Sequence, residues 1–507
     1  MHNTKSKILK NSFFSIILEL TTILSSLVIP NIIIRAYGSE ANGLTHSIKS
    51  FLGYIALLQL GAGSVIKATL YKPLVNKDHT QVSIIIKTTE RFFRKIGMFG
   101  IVYLIALAVL FPTVIKPHLD FVYAFSLVII IGIGNIAQYL FGITYQMVLE
   151  SDQRSYVYSL VQITTILLNF ISVFVMVRLG FTLQIVLLCS SFFFVARPIF
   201  IGQYVRQYYK YDSSVKPDNS YIRQRWAGFA HGLAFFIHSK TDIFVLTVFS
   251  TLSTVSIYSI YATVTNGLTA FINCIDKAVR AAFGHIMAKG NKEALQEYFN
   301  SYNTFIHIVS SAVFSTAAIT IYSFIDIYSK NINDADYKQP LFGTLIITAE
   351  MFYCLRLPYN SIIYAGNRFS DTKVPAFIEA IINILVSSAL VFHYGLVGVA
   401  IGTLVAMIYR TGEFAHYLHN NLLFLNYPKQ IKRYMITMIS YFGSFFLLSL
   451  IKINVPAIPF WILYAFAIFV IDFLFTMIIN FLFDREALMS TLNLFLKKKN
   501  KHSLKKE

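Results

Sequence analysis

The sequence predicts an all-α polytopic membrane protein of about 14 transmembrane helices, and three observations lead to this fold class. Hydrophobic residues make up 56% of the 507 residues and charged residues only 13%, whereas a soluble domain carries about 25% charged residues. The mean hydropathy is +0.61. The apolar residues fall into runs that can each cross about 30 Å of hydrocarbon, and basic residues gather in alternate loops between these runs.

The apolar runs define the individual helices. Each run is taken as one membrane span, and the loops between spans are short. The predicted spans are residues 11–34, 44–66, 97–115, 121–148, 156–177, 181–205, 227–249, 254–275, 302–327, 340–364, 374–392, 396–418, 434–451 and 457–481.

The distribution of Lys and Arg predicts the orientation. If the N-terminus is cytoplasmic, most of the 43 basic residues lie in inside loops and few lie in outside loops, as the positive-inside rule requires. A missed helix would scramble this alternation. The sequence therefore predicts a multi-pass protein of the cytoplasmic (inner) membrane with both termini in the cytoplasm. This topology explains the net charge of +19, so no nucleic-acid partner is expected.

An internal repeat relates two parts of the chain at a common offset of 214 residues. The offset predicts two six-helix lobes in the same orientation, 1–210 and 211–428, around a central cavity, which is a transporter signature. Two additional membrane helices over 429–484 and a basic cytoplasmic tail over 485–507 would complete the chain. The recurring residues are Tyr145, Arg154 and Asn169, which return as Tyr359, Arg368 and Asn383.

Two blocks of sequence carry a resemblance to a known family. The first block comprises Tyr37–Leu44, Leu57–Gly63 and Leu70–Leu74, and the second comprises Leu357–Tyr359, Ala365–Gly366, Glu379–Asn383 and Gly395–Thr403. Together they resemble the Wzx-type polysaccharide flippases of the multidrug/oligosaccharidyl-lipid/polysaccharide exporter superfamily. The resemblance covers most of the chain, and the added C-terminal helix pair is similar to that of fourteen-helix members of the superfamily, where such helices flank a groove for a lipid tail.

The resemblance implies a flippase that moves a lipid-linked (polyprenyl-pyrophosphate) oligosaccharide across the membrane by alternating access, for surface polysaccharide biosynthesis. Capsule, O-antigen (lipopolysaccharide), exopolysaccharide and teichoic-type precursors all remain open as its cargo. It also implies H⁺ or Na⁺ coupling and a polysaccharide polymerase as a partner. The sequence contains no metal cluster, nucleophile elbow or phosphate loop, so we expect neither an enzyme nor a cofactor.

Basic residues inside predicted spans are the candidate substrate ligands. Ionisable groups in hydrocarbon are costly and usually face a cavity, and a pyrophosphate needs cations there, with Arg suited to bidentate contact. The alternative is a structural ion pair between helices, and Arg197, near the cytoplasmic face, could instead extend to the interface. The candidates are Lys49, Lys240, Arg356 and Arg197.

Intramembrane carboxylates are the candidates for coupling transport to H⁺ or Na⁺. Helix–helix pairing is the alternative role for each of them. Asp472 lies in the last span, outside both predicted lobes, and is not assigned to the site. The coupling candidates are Asp242, Glu350, Glu379 and Glu19.

Two other functions are alternatives to the flippase. A cation-coupled multidrug exporter of the same superfamily prefers cationic substrates, so its cavity is expected to be acidic, whereas the intramembrane cations here favour an anion. A membrane glycosyltransferase or polymerase usually carries a long outside loop or acidic residues in the first one. Here the first outside loop offers only Glu40, and no outside loop is long.

Overall fold

The fold is all-α, as the sequence predicts, in a computed structural model that describes residues 2–59, 61–116, 119–222, 240–366, 368, 371–423, 425–450, 453 and 455–493. Helices dominate because a chain in lipid must satisfy its backbone hydrogen bonds internally. The helices are α1 His2–Tyr37, α2 Ser39–Gly53, α3 Ala62–Val75, α4 His79–Leu110, α5 Phe121–Phe141, α6 Ile143–Ser151, α7 Ser155–Arg178, α8 Leu183–Tyr208, α9 over residues 240–249, α10 Leu252–Ala288, α11 Lys292–Tyr328, α12 Pro340–Leu355, α13 Leu357–Ala365, α14 Lys373–Asn421, α15 Tyr427–Ser449, α16 Ile458–Phe483 and α17 over residues 485–493.

Ten of the described helices are long and apolar enough to cross a membrane, and the bent pair α2–α3 makes up to 11. The predicted number of 14 is therefore not confirmed. Most of predicted span 7 lies outside the described residues. Predicted span 13 is helical as α15, but Lys432 and Arg433 in its first turns lower its apolar character. Predicted spans 11 and 12 are the two helical segments of α14, which fold back on each other at Gly395 (φ 53°, ψ −125°), so that the Asn383 Nδ2 donates to the Thr403 Oγ1 at 3.2 Å.

Polar side chains cap the N-termini of several helices. The carboxylate of Asp78 accepts a hydrogen bond from the backbone N–H of Gln81 (2.9 Å), and that of Asp120 accepts one from the N–H of Tyr123 (2.7 Å). The Asn291 side chain does the same for α11. Each contact satisfies an N–H group that the first helical turn leaves without a partner.

The chain divides into two compact units, Met1–Ser259 and Ile260–Glu507. In the first unit, α7 packs on α1 and α8, and α5 packs on α4 and α8. In the second unit, α11 packs on α12, α15 and α16, and α12 packs on α14. The lobe and tail boundaries expected from the sequence stay a prediction.

Local structure repeats at the offset found in the sequence. The short helices α6 and α13 each have nine residues and start at positions 143 and 357. Each follows a helix break, and each ends in the same turn: the Arg154 N–H donates to the Leu149 carbonyl (2.8 Å), and the Arg368 N–H donates to the Ile363 carbonyl (2.9 Å). This agreement in helix bounds and turn geometry supports an internal structural repeat.

Candidate functional site

A cavity of about 530 Å³ lies within the first unit, among α1, α2, α5, α7 and α8. Its wall combines apolar side chains with amides, hydroxyls and basic groups, and among the described residues no Asp or Glu lines it. A polar cavity in the middle of apolar helices is typical of a binding site rather than of packing. The polar lining residues are Thr22, Ser25, Ser26, Asn42, Thr45, His46, Lys49, Asn135, Gln138, Gln162, Asn169, Ser190, Ser191 and Arg197.

Helix α2 brings the first predicted ligand, Lys49, into this cavity. Lys49 is exposed, and His46 lies one turn before it on the same face. Among the described residues, neither side chain has a hydrogen bond or ion pair. Lys240 lies beside the same helix, because a Cβ added at Gly53 would meet the Lys240 Cε at 3.7 Å. The positive charges of Lys49 and Lys240 interact electrostatically with the His46 ring, so three basic groups lie close together.

Helix α8 places the guanidinium of Arg197 on the cavity wall. Its Nη2 donates to the Gln138 Oε1 at 3.4 Å, and its Cζ lies 5.6 Å from the centre of the Phe194 ring. The Arg197 Nε is buried without a hydrogen-bond partner among the described residues. Asn169 also lines the cavity with a buried Oδ1 that has no such partner. Unsatisfied polar atoms of this kind suit a polar ligand.

A second cavity of about 570 Å³ lies next to the first. The two share Asn135 and Gln138 in their walls, and the second reaches α3 and α6. Lys67 and Glu150 line it and form an ion pair with 2.6 Å between Nζ and Oε2. The first unit therefore contains two neighbouring polar cavities, each with basic groups in its wall.

Arg356, the fourth predicted ligand, lies in the second unit in a buried network of charges. Its Nη1 is 2.7 Å from the Oε1 of Glu379, a predicted coupling residue. The Arg410 Nε lies 3.3 Å from the other Glu379 oxygen and its Nη1 lies 2.9 Å from Glu413. Arg356, Arg410 and Glu379 are 7%, 2% and 5% exposed. These contacts favour the alternative role, a structural ion pair between helices.

The remaining coupling candidates lie apart from the cavity. Asp242, on α9, accepts a hydrogen bond from the Tyr258 hydroxyl (2.9 Å) and is buried. Glu350 is half-buried on α12 and acts electrostatically on Arg356. Glu19 is exposed on α1. None of the three lines the cavity, and their roles in coupling stay predictions.

A buried acid–base cluster in the second unit was not predicted. Asp276 on α10 is 0% exposed, accepts from the Tyr302 hydroxyl (2.9 Å) and the Ser361 hydroxyl, and pairs with Arg280 (2.7 Å). The spacing of four between Asp276 and Arg280, which places both on one helix face, could have indicated the cluster. The predicted span ends at residue 275, which puts both residues in a loop.

A second missed cluster joins α4, α6 and α8 in the first unit. The Tyr145 hydroxyl donates to Glu90 and accepts from the Arg206 Nε at 2.7 Å. The Tyr211 hydroxyl, beyond the end of α8, donates to the second Glu90 oxygen at 3.1 Å. Burial and the Glu90 charge raise the pKa of Tyr211 to about 12. The repeated Tyr145 thus anchors three helices together.

Comparison with known proteins identifies the fold but not the family. No family model matches the sequence, and no curated protein matches it. The lipid II flippase MurJ, in an inward closed conformation, is similar with a TM-score of 0.70 and 13% identity over 94% of this chain and 99% of that one. An inward-facing multidrug resistance MATE family transporter of the MOP superfamily has a TM-score of 0.63 and 12% identity over 80% and 98% of the two chains.

A eukaryotic MATE transporter, AtDTX14, is similar with a TM-score of 0.57 and 13% identity over 85% of this chain and 99% of that one. The chain thus has the fold of MOP-superfamily transporters and is a multi-pass membrane protein. Identities this low establish the fold alone. The finer resemblance to Wzx-type flippases stays a prediction.

Proposed function

We propose that this protein is a flippase that moves a lipid-linked oligosaccharide, carried on polyprenyl pyrophosphate, across the cytoplasmic membrane. The observation that carries the proposal is the cavity of the first unit, which is lined by Lys49, His46 and Arg197 and by no carboxylate. A fold shared with a lipid II flippase supports the same function.

In this proposal the basic groups hold the pyrophosphate. Arg197 offers guanidinium donors, of which the Nε has no partner among the described residues, and such donors suit bidentate contact with phosphate oxygens. Lys49 adds a point charge on the same cavity wall, and Lys240 adds another beside α2. These charges act strongly because a cavity within a membrane has a low dielectric.

The amide side chains of the cavity would bind the sugars. Asn135, Gln138, Gln162 and Asn169 each offer both donors and acceptors, which match the hydroxyl groups of a saccharide. Water can replace the sugar in these hydrogen bonds, so the head group binds reversibly. The lipid tail would stay in the bilayer while the lobes alternate access to the two sides.

A multidrug exporter is the second candidate, because MATE transporters share the fold. A cationic drug would meet Lys49 and Arg197 in this cavity and no compensating carboxylate, which disfavours it electrostatically. We therefore rank the flippase first. We also propose that both termini are cytoplasmic, that H⁺ or Na⁺ drives transport, and that a polysaccharide polymerase uses the product.

A binding experiment tests the cavity assignment. Purified protein is titrated with a short-chain polyprenyl pyrophosphate, with the uncharged polyprenol and with a lipophilic cation. We expect Lys49→Gln and Arg197→Gln each to weaken pyrophosphate binding about tenfold, since a hydrogen bond to a charged group contributes about 1.5–3 kcal/mol. Polyprenol binding should not change.

The matched control is Arg178→Gln, an exposed arginine at the end of α7 outside the cavity, which should bind like the wild type. Equal pyrophosphate affinity in all four proteins would move the site elsewhere. Tight binding of the cation with no binding of the pyrophosphate would favour the drug exporter.

A further inference from the structure

Helix α16 packs against other helices of the second unit through a row of polar side chains. Its buried residues are spaced by four, Ile468, Asp472, Thr476 and Asn480, and three of the four are polar. The rest of the helix is largely apolar and exposed. Membrane helices usually pack through small or apolar side chains, so a buried carboxyl group on this face calls for a specific role.

Asp472 lies deep in the membrane-spanning part of this row. It is 11 residues from the nearer end of α16, which is roughly 16 Å along a helix, and it is 0% exposed. Its Oδ2 lies 2.9 Å from both the Ser315 Oγ and the Thr316 Oγ1 on α11. The Ser444 hydroxyl on α15 also contacts the carboxyl group.

Two of the hydroxyls around Asp472 have a second acceptor on their own helices. The Ser315 Oγ lies 2.7 Å from the Ser311 carbonyl and 2.9 Å from the Asp472 Oδ2. The Ser444 Oγ likewise lies 2.7 Å from the Ser440 carbonyl. Each hydroxyl has one hydrogen, so a hydroxyl that donates to its helix carbonyl turns a lone pair toward Asp472. A carboxylic acid can donate to that lone pair, whereas a carboxylate cannot.

The surroundings of the other carboxyl oxygen also favour an uncharged Asp472. The Asp472 Oδ1 is buried with no hydrogen-bond partner among the described residues, which would cost several kcal/mol if it carried charge. None of the titratable or charged groups on the packed helices is seen to contact the carboxyl group within the described chain. Those groups are Lys292, Glu293, Glu297, Tyr298, Tyr302, His307, Tyr322, Asp326 and Tyr328 on α11, Tyr427, Lys429, Lys432, Arg433, Tyr434 and Tyr441 on α15, and Tyr464 on α16.

We propose that Asp472 is a proton-binding site between α11, α15 and α16, and that the C-terminal helix pair (α15 and α16) packs on α11 in this protonated form. An undocked α16 that exposed Asp472 to water would release the proton at neutral pH. Docking of α16 therefore takes up one proton. Each unit rise in pH lowers the equilibrium constant for docking by up to about tenfold.

Infrared spectroscopy of the full-length protein in lipid nanodiscs tests the protonation directly. At pH 7 we expect a carbonyl stretching band of a protonated carboxyl group that is missing in Asp472→Asn and kept in Asp326→Asn, the control on α11. Replacing choline by Na⁺ should leave the band unchanged. Absence of the band in the wild type would overturn the proposal, and loss of the band on adding Na⁺ would replace the proton site by a sodium site.

A second variant keeps the test valid if Asp472→Asn does not fold. Thr316→Val removes an α11 hydroxyl that lies 2.9 Å from the Asp472 Oδ2, so the carboxyl band should shift in frequency while the proton stays bound. An unshifted band would belong to another carboxyl group and would contradict the assignment.

Discussion

Basic groups within the helices of this protein fall into two environments that differ in their partners. Lys49 and Arg197 lie on a cavity wall that has no carboxylate among the described residues, whereas the buried Arg356 and Arg410 both contact Glu379 in a closed cluster. A charge with a buried counterion mainly fixes helices to one another. A charge with no counterion can take one from a ligand, which is why the first pair is assigned to substrate.

Neutralising Glu379 should destabilise the protein. Glu379→Gln would leave Arg356 and Arg410 buried at 7% and 2% exposure without their shared counterion, and breaking a buried pair costs about 3–5 kcal/mol. We expect a clear fall in Tm of the purified protein in detergent. Glu413→Gln is the control, since the Glu413 side chain is 15% exposed and its loss leaves the Arg410–Glu379 contact in place.

The outcome also separates the two roles of Glu379. A Glu379→Gln protein with unchanged Tm but without ion-driven transport would contradict the structural role and restore Glu379 as a coupling residue. A low Tm that is recovered when Arg410→Leu is added would support mutual compensation within the cluster.

At the scale of helices, α2 and α10 approach each other more closely than side chains usually allow. A Cβ added at Gly43 would lie 1.7 Å from the Leu252 carbonyl oxygen. Beside it, the Asn42 Nδ2 donates to the Ser256 Oγ at 2.7 Å. These two residues are themselves 214 positions apart, which is the offset of the sequence repeat.

This crossing yields a prediction for cross-linking. In a protein whose three native cysteines are replaced by Ser, Asn42→Cys with Ser256→Cys should form a disulfide under mild oxidation. Adding Gly43→Val should abolish the cross-link, because the side chain forces α2 away from Leu252. Gly412→Val, which has no neighbouring atom within 4 Å of an added Cβ, is the control and should leave the cross-link unchanged.

Efficient cross-linking in the Gly43→Val protein would contradict the close crossing, since the two helices could then meet despite the added side chain.

Hydropathy predicted most helices well but not their breaks. It identified residues 121–148 as one span, whereas the helix breaks at Gly142. The equivalent break at Arg356 lies two residues before Pro358, a residue type that the sequence itself marks as a helix interruption. Hydropathy averages over about a helix length, so a one-residue change of direction leaves no trace in it.

The sequence predicted which residues could form the site but not which groups they contact. Because all four lie inside predicted spans, Lys49, Arg197, Lys240 and Arg356 were equal candidates. Only the packing of distant helices distinguishes Arg356, whose partner Glu379 is on another helix, from the cavity-lining residues. Asp472 was set aside because its helix lies late in the chain, and its burial depends on hydroxyl groups far away in sequence.

At the scale of the whole molecule, the fold alone does not select the substrate. The chain is similar in structure to a lipid II flippase and to MATE transporters at comparable, low identity, so the choice between them rests on the cavity. In the proposed function the basic groups of the cavity favour an anion, because a low-dielectric site rejects a ligand of its own charge. The central proposal is that the transported molecule is an anionic, lipid-linked saccharide.

A flipping assay in proteoliposomes tests this claim most directly, with a polyprenyl-pyrophosphate oligosaccharide as substrate. The account predicts transport by the wild type and by Arg178→Ala, and loss of most transport in the double variant Lys49→Ala with Arg197→Ala at equal reconstitution. Wild-type-like flipping by the double variant, or no flipping of any such lipid by the wild type, would contradict it.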